Sequence, residues 1–262
     1  MHSLLDPYTS LRDVLPLWGT CEYEGHCVIA AAFPYLLPGE YYAGRNVSRY
    51  AVVRDYHDIC GARLERACAL LRAAFPGEEF HWHCDNNSLP EVELAAKAGL
   101  GVRGKHNLLI TEKYGSWVFL GEIVTSAKLP TVHYSLSIVH CPGCNACIKA
   151  CPTGALGKNS FDKAKCLSFI TQRKGELTPE EAALVKQAGA VWGCDLCQEA
   201  CPHNRKAKID PLPEFLIEPI ARVTKDTPAA GRAYAWRGEG VIRRNLELLS
   251  PPPSRSPQNP PP

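Results

Sequence analysis

Residues 141–201 read Cys141-x-x-Cys144-x-x-Cys147-x-x-x-Cys151-Pro152, then Cys166, then Cys194-x-x-Cys197-x-x-x-Cys201-Pro202. Eight of the chain's 13 cysteines fall in this stretch, and any fold must be built around them. Two residues between thiolates let a tight loop set neighbouring sulfurs on adjacent irons. The proline after the last cysteine turns the chain away from helix. In bacterial runs of this spacing the cysteine before proline ligates the other cluster of a pair. The spacing therefore predicts two 4Fe–4S clusters. One takes Cys141, Cys144, Cys147 and Cys201. The other takes Cys151, Cys166, Cys194 and Cys197, with Cys166 in place of the close-spaced first cysteine that the second run lacks. Zinc suits isolated Cys-x-x-Cys pairs, and disulfides suit short secreted chains. Neither accounts for the triple run closed by Cys-Pro.

A chain of 262 residues is long enough for one large or two modest domains. A net charge of +2 does not announce a nucleic-acid binder. No apolar run approaches the ~18 residues of a membrane span, and the first residues, MHSLLDPYTSLRD, lack the basic-then-apolar order of an export signal. The expected compartment is the reducing cytoplasm, where thiols stay free for metal. Most of the remaining cysteines, Cys21, Cys27, Cys60, Cys68 and Cys84, are expected to be small buried apolar residues.

Before the cysteine runs the pattern alternates between strand and helix. Residues 28–38 are a continuous apolar run closed by proline, read as a buried strand. A long, tyrosine-rich polar loop follows, of the kind that often carries function. Apolar residues at 59, 64, 67, 71 and 75 make a helical stripe ended by Pro76-Gly77. Residues 80–85 alternate, with Phe80, Trp82 and Cys84 on one face and His81, His83 and Asp85 on the other. That second face is either a solvated edge or a pocket wall. Ser88-Leu89-Pro90-Glu91 has the form of a capping box opening a helix that stops at Gly99. Asp85 thus sits in a turn between strand and helix, a common place for chemistry.

Residues 99–104 match G-x-G-x-x-G but follow a helix and lead into a strand over 107–111, the wrong context for a dinucleotide. Two readings stay open: a helix C-cap with a glycine-rich turn, or backbone lying close to a large flat ligand, with Lys105 and His106 beside it as donors. Strands over 108–110 and 117–120 are expected to form a hairpin, with another strand over 131–139. Helices are expected over 161–173 and 178–187, the second opened by the capping box Thr178-Pro179-Glu180-Glu181. The cations His203, Arg205, Lys206, Lys208, Arg232, Arg237, Arg243 and Arg244 are either a solvated face or a nucleic-acid footprint. Residues 251–262 are proline-rich, without core-forming residues, and read as disordered.

Several blocks together resemble the epoxyqueuosine reductases, relatives of the reductive dehalogenases, over roughly residues 28–250. They are the strand at 28–38, Ser48-Arg49-Tyr50 with Asp55-Tyr56-His57, and Asp85 standing before Ala98-Gly99-Leu100-Gly101-Val102-Arg103-Gly104-Lys105-His106-Asn107. Gly115-Ser116-Trp117-Val118-Phe119-Leu120-Gly121-Glu122, the eight cysteines in order, and Trp236-Arg237-Gly238 with Arg243-Arg244-Asn245 complete the set. The turn after Asp85 departs from the family's Gly-Pro pair, reading Asn86-Asn87-Ser88-Leu89-Pro90. The resemblance is to a short member, without the C-terminal helical-repeat domain of longer ones.

The resemblance implies an α/β (α+β) fold: a mixed-sheet cobalamin-binding domain over residues 1–135, then a bacterial-ferredoxin-like double-cluster domain over 136–210. A helical segment over 211–250 would pack back on the body. The implied cofactors are two 4Fe–4S clusters and cobalamin, and the implied reaction is reduction of epoxyqueuosine to queuosine in a tRNA anticodon or a smaller related substrate. Removing the epoxide oxygen as water takes two electrons and two protons. Asp85 is the candidate acid, its carboxyl expected in a desolvated pocket. Gly99, Leu100, Gly101, Gly104, Lys105, His106 and Asn107 are the candidate cobalamin contacts. A monomer served by a flavodoxin- or ferredoxin-type reducing partner is expected. Two alternatives stay open: the same cofactors with another small-molecule substrate, and an electron-transfer iron–sulfur protein.

Overall fold

The computed structural model describes residues 7–85, 87–132, 134, 136, 141, 143–158 and 160–250. In chain order these form helix α1 (Pro7–Val14), strands β1 (Leu17–Tyr23) and β2 (His26–Pro34), and helices α2 (Arg49–Val52) and α3 (Tyr56–Ala74). Strand β3 (Phe80–His83), helix α4 (Glu91–Lys97) and strands β4 (Val102–Arg103), β5 (Leu109–Ile110) and β6 (Val118–Thr125) follow. The cysteine-bearing part holds helices α5 (Ala146–Ala150), α6 (Leu167–Gln172), α7 (Pro179–Ala188) and α8 (Leu196–Glu199), and α9 (Glu239–Leu249) comes last.

Strands β1, β2, β6 and β3 form one sheet in that order, with every pairing antiparallel. The apolar run from residue 28 is its central strand β2, and both faces of β2 are covered. Ile29, Ala31 and Phe33 pack under α1 and α3, while Val28, Ala30 and Ala32 pack under α4. A strand covered on both faces needs no polar alternation, which is why the sequence reads as continuously apolar. On the α4 face a Cβ on Gly19 would collide with Ala98 O, so helix and strand backbones touch directly there.

Residues after the cysteine runs join the same core. Leu212, Phe215, Val223, Tyr234, Val241 and Ile242 cluster with Trp192 and the α3 face of the sheet. Helix α9 is anchored by the fully buried Asn245, whose amide donates to Thr171 O at 2.8 Å and Val191 O at 2.7 Å.

Several local expectations change. Residues 108–110 and 117–120 do not pair as a hairpin: β5 pairs with β4, and β6 enters the main sheet. An isolated bridge between Thr111 and Gly115 closes the turn between them. The helix expected over 161–173 is broken at Cys166, which has extended backbone between a 3-10 turn (Lys163–Lys165) and α6. A ligating cysteine inside a helix would point along one fixed face, and the break frees it. The strand expected over 131–139 falls largely on His133, Ser135 and 137–139, outside the described residues. Val132 lies beside β1, exchanging hydrogen bonds with Thr20. The capping box Thr178/Glu181 forms with both bonds present. The one at Ser88/Glu91 does not: α4 starts without a side-chain cap, because Glu91 turns to the Asp85 loop. Two of the cations are turned inward, Arg232 and Arg244 being spent on backbone carbonyls of Val52, Glu218, Arg173 and Gly175, while Arg205, Lys206, Lys208 and Arg243 are exposed.

Candidate functional site

The eight cysteines separate into two groups by the fields they exert on one another. Cys147 feels Cys141 and Cys201, and Cys201 feels Cys141 and Cys144. Cys194 feels Cys166 and Cys151; Cys197 feels Cys194, Cys166, Cys147 and Cys151. These effects group the cysteines as the two expected foursomes, with Cys147 also acting on Cys197 across them. Burial pushes the Cys194 thiol up to about 11 and Cys197 up to about 12, reinforced by their cysteine neighbours. Thiols so placed ionise only when bound metal supplies compensating charge. Among the described residues no three His, Cys, Asp or Glu side chains are placed to hold a metal ion. The donor set is four thiols per group, that of a cuboidal cluster.

Cys151, Cys166, Cys194 and Cys197 line one end of a cavity of about 350 Å³. Its other wall is aromatic and belongs to the sheet module: Tyr35, Tyr50, Tyr56 and Phe119, with His106 and Asn107 on the rim loop. Tyr56, Leu108, Ser116, Val118 and Phe119 also border a smaller cavity of about 220 Å³, which holds Asp85 and Glu91. The two make one cleft running from the second foursome to Asp85, with Tyr56 at the junction. Tyr56 lies flat on Phe119, centroids 4.1 Å apart and planes at 7°, a stable offset arrangement that gives the cleft a flat floor.

Asp85, two residues past the end of β3, has a left-handed conformation, φ 55°, which is rare for a non-glycine residue. Glu91 holds it there, accepting from Asp85 N at 2.9 Å and from the Asn87 amide. Tyr56 O–H donates to Asp85 Oδ2 at 2.5 Å, and His57 Nε2 lies 3.6 Å from the same oxygen. Asp55, the N-cap of α3, accepts from His57 N and faces its Nδ1 at 2.7 Å. The bond to Asp55, and then Asp85, raises His57 to about 10, so the imidazole is a cation at neutral pH. Burial, and then Asp85, raises Tyr56. The desolvated pocket expected around Asp85 is not found: its side chain is 52% exposed. Two proton donors flank it instead.

Behind the loop lies a residue whose role the sequence hid. Glu122, in β6 opposite His83, has 0% exposure, and neither carboxyl oxygen has a hydrogen-bond partner among the described residues. Burial, then Glu91, Cys84 and Asp85, raises its pKa to about 9, so it is a neutral acid.

The glycine segment divides. Gly99 has φ 78° just past the end of α4, and a Cβ on Gly101 would collide with Ile110 O. Leu100 is buried with the α4 face of the sheet. These three serve helix termination and packing, and do not border the cleft. His106 and Asn107 do border it. Asn107 is left-handed, φ 65°, and Gly104 packs against the His106 ring. His106 is nearly fully buried, its Nε2 has no partner among the described residues, and burial lowers its pKa to about 4. Lys105 donates to Cys144 O at 3.2 Å and Asn145 Oδ1 at 2.9 Å, tying this loop to the first cysteine run. Of the 80–85 strand, only Asp85 borders the cleft. Trp82 lies 37% exposed over Gly61, its indole bonded to Glu65.

Comparison with known proteins bears on this arrangement. A family model described as epoxyqueuosine reductase QueG, DUF1730, matches residues 23–86, and one described as a 4Fe-4S double cluster binding domain matches residues 140–204. An epoxyqueuosine reductase of Synechocystis sp. is 34% identical over 256 residues, covering 91% of this chain and 85% of that protein. The chain belongs to the epoxyqueuosine reductase family. The Listeria monocytogenes epoxyqueuosine reductase is 32% identical over 246 residues, covering 87% of this chain but 64% of that protein. Five such curated relatives are covered over only 51–64% of their length. Among solved structures, the epoxyqueuosine reductase of Streptococcus thermophilus matches with a TM-score of 0.70 at 28% identity, covering 86% of this chain and 63% of that one. One solved with a tRNA-Tyr epoxyqueuosine-modified stem loop matches with a TM-score of 0.72 at 27% identity, with the same coverage. One from Bacillus subtilis, with its catalytic aspartate loop swung out of the active site, matches at 0.70 and 26% identity, again with that coverage.

The domain for two 4Fe–4S clusters is therefore present, and the cleft fits the family's cobalamin. It offers a flat aromatic floor, an unpartnered buried imidazole nitrogen on the rim and four cluster thiols at one end. Tyr56, Asp55, His57 and Glu122 received no role from the sequence, and Glu91 only that of a helix cap. The Asp-Tyr-His block and the glutamate closing the Gly115–Glu122 block were visible, but only the fold puts them around Asp85.

Proposed function

We propose that this chain reduces epoxyqueuosine to queuosine in tRNA, with Asp85 as the acid that protonates the departing oxygen. The cleft carries this reading: it places the Asp85 loop and the second cysteine foursome on one continuous surface through Tyr56. Bound there, the clusters and the corrin cobalt supply two electrons at strongly reducing potential. His106 and Asn107 would hold the corrin edge, over the floor made by Tyr56 and Phe119. Lys105 would fix that loop against the first cluster's binding run.

The residues of the chain supply the protons. Asp85 presents its carboxyl to the cleft, half exposed and able to reach a bound epoxide. Tyr56 orients Oδ2 by its short hydrogen bond. His57, held cationic by Asp55, faces the same oxygen and is the nearest source to restore its proton. The relative whose aspartate loop swings out of the active site supports a mobile Asp85 loop, pinned here by Glu91. The exposed Cys144 puts the first foursome near the surface, where a flavodoxin- or ferredoxin-type partner would dock. The relative solved with a tRNA stem loop supports tRNA as substrate, and with it a cytoplasmic location. Among the described residues no helix is long and apolar enough to cross a membrane.

The test is anaerobic reconstitution with iron, sulfide and cobalamin, then single turnover on an epoxyqueuosine stem loop and on the free nucleoside. Retained cobalt and conversion of the stem loop are expected. No bound corrin would refute the proposal, and equal conversion of both substrates would refute tRNA as the substrate.

A further inference from the structure

A further cavity, of about 280 Å³, opens beside the cleft and shares Asn107 and Phe161 with it. It lies between two turns. One joins β4 to β5, closed by Gly104 N donating to Leu108 O at 2.8 Å and Asn107 N donating to Gly104 O at 2.9 Å. The other joins the bridged residues Leu156 and Phe161, with Gly157 N donating to Ser160 O at 2.8 Å. The charged side chains that line this cavity are Arg103, Lys105 and Lys158; among the described residues no carboxylate lines it. Two of the cations are held in place. Lys105 donates to neutral oxygens, Cys144 O at 3.2 Å and Asn145 Oδ1 at 2.9 Å, so its charge is not offset there. Arg103 donates to Glu93 and to Asn107 Oδ1, which fixes its guanidinium and leaves further N–H groups free. Glu93 offsets one of the three charges. Lys158 is exposed in its turn and has no ion pair among the described residues. Cations gathered around so small a space repel one another, and an anion between them relieves this. A solvated basic face explains the charges but neither the concavity nor its continuity with the cleft. The space admits one phosphate with a flanking sugar. It is too small for the face of a protein partner, which buries ~800 Å² on each side. Phe161, 40% exposed at the shared edge, offers a ring to a sugar or base.

We propose that this cavity binds a phosphodiester of a ligand seated in the cleft, with Arg103, Lys105 and Lys158 as its cations. This rests on the reading of the cleft as the site of corrin and epoxyqueuosine. Two ligands of such a cleft carry the group: the tRNA strand beside the modified nucleotide, and the nucleotide tail of cobalamin. Either one would reach the cavity past Asn107 and Phe161, the two residues common to both spaces. The guanidinium of Arg103 suits the paired oxygens of a phosphate, and the two ammonium groups act as point charges beside it. The site contributes affinity and register to the ligand; no bond is made or broken there.

The experiment measures binding, without oxygen, to the protein carrying its reconstituted clusters. The probes are cobalamin, cobinamide, which lacks the nucleotide tail and its phosphodiester, and the epoxyqueuosine stem loop added to protein saturated with cobalamin. Lys158→Glu is compared with wild type, with Lys158→Arg as the charge-conserving control and Arg103→Ala as a second variant. Lys158 is an exposed turn residue, so replacing it leaves the fold intact. If the tRNA strand supplies the phosphate, Lys158→Glu weakens stem-loop binding roughly tenfold and lowers the slope of log Kd against log salt by about 1. Both corrinoids then bind as in wild type. If the cobalamin tail supplies it, the variant weakens cobalamin roughly tenfold and leaves cobinamide unchanged. In either case Arg103→Ala weakens the same ligand and Lys158→Arg keeps it. Wild-type affinity of Lys158→Glu and Arg103→Ala for all three probes would overturn the proposal. So would equal weakening of cobalamin and cobinamide, or a weakened stem loop with an unchanged salt slope. A wild type that binds no corrinoid and no stem loop would refute the reading of the cleft, and this site with it.

Discussion

Replacing Glu122 by glutamine should stabilise the protein, and the pH dependence of that gain can be worked out. Folded Glu122 titrates near 9, against an ordinary value of 4.5. Below pH 4.5 the carboxyl is protonated in both folded and unfolded chains, and the side chain adds no pH-dependent term. Between 4.5 and 9 only the folded state keeps the proton. Each pH unit in that window therefore removes ~1.4 kcal/mol of stability. The loss is about 4 kcal/mol at pH 7.5 and levels off near 6 kcal/mol above pH 9. Glutamine is neutral throughout, and its unbonded amide carries about the same cost as the unbonded protonated carboxyl it replaces. The variant should match wild type to within about 1 kcal/mol at pH 5 and be about 4 kcal/mol more stable at pH 7.5. Thermal unfolding of the holoprotein without oxygen, at pH 5, 6, 7 and 8, measures this. For a chain of this size the difference in Tm should grow by roughly 3–5 °C per pH unit. Curves that stay parallel across that range would show that Glu122 is not held protonated, and the buried-acid argument would fail.

Asp85→Asn should lower single-turnover rate by ~10²–10⁴-fold, the usual loss of a general acid, with iron and cobalt content unchanged by metal analysis. Tyr56→Phe keeps the ring on Phe119 and removes only the hydrogen bond to Asp85. It should slow the same reaction about tenfold, a loss of ~1.4 kcal/mol. Cys201→Ser should leave about four irons per chain in place of eight after gel filtration, since it empties one foursome and spares the other.

The cysteine groups were legible because ligand spacing is a local property, and loop geometry allows few assignments. The central strand was legible because burial on both faces leaves a continuous apolar run. The Asp85 surroundings were not. Glu91 carries the pattern of a helix cap, and local sequence gives no sign that it abandons Ser88 for the loop before it. The capping box at Thr178/Glu181 has the same pattern and forms; nothing there competes for Glu181 except Arg173, which the same oxygen also accepts. Gly99 and Gly101 illustrate a pattern with two readings, a helix end and a cofactor-binding segment; the positive φ of Gly99 and the close approach of Gly101 to Ile110 display the first. Glu122 lies in a strand that reads as ordinary, and its lack of a donor among the described residues appears only in the fold.

Strand β6 joins the two halves of the chemistry. Its entry turn is locked to the cysteine module: Asn204 Oδ1 accepts from Ser116 N at 2.7 Å, and the Asn204 amide donates to Ser116 Oγ at 2.9 Å and to Gln198 O at 2.7 Å. Gln198 in turn donates to Ser116 O at 2.9 Å. A Cβ on Gly115 would collide with Asn204 Oδ1, and Gly115 has φ 57°, so that turn needs glycine on both counts. From this anchor the strand carries Phe119 under Tyr56, then Glu122 behind Glu91. The cysteine module and the proton donors are thus registered on one rigid element, three residues apart. A satisfied buried network of this kind holds position better than a loop contact. A shift of the Ser116 turn would displace the floor of the cleft and the strand behind Glu91 together. The spacing between the cysteine module and the surroundings of Asp85 is therefore set by the length of a single strand.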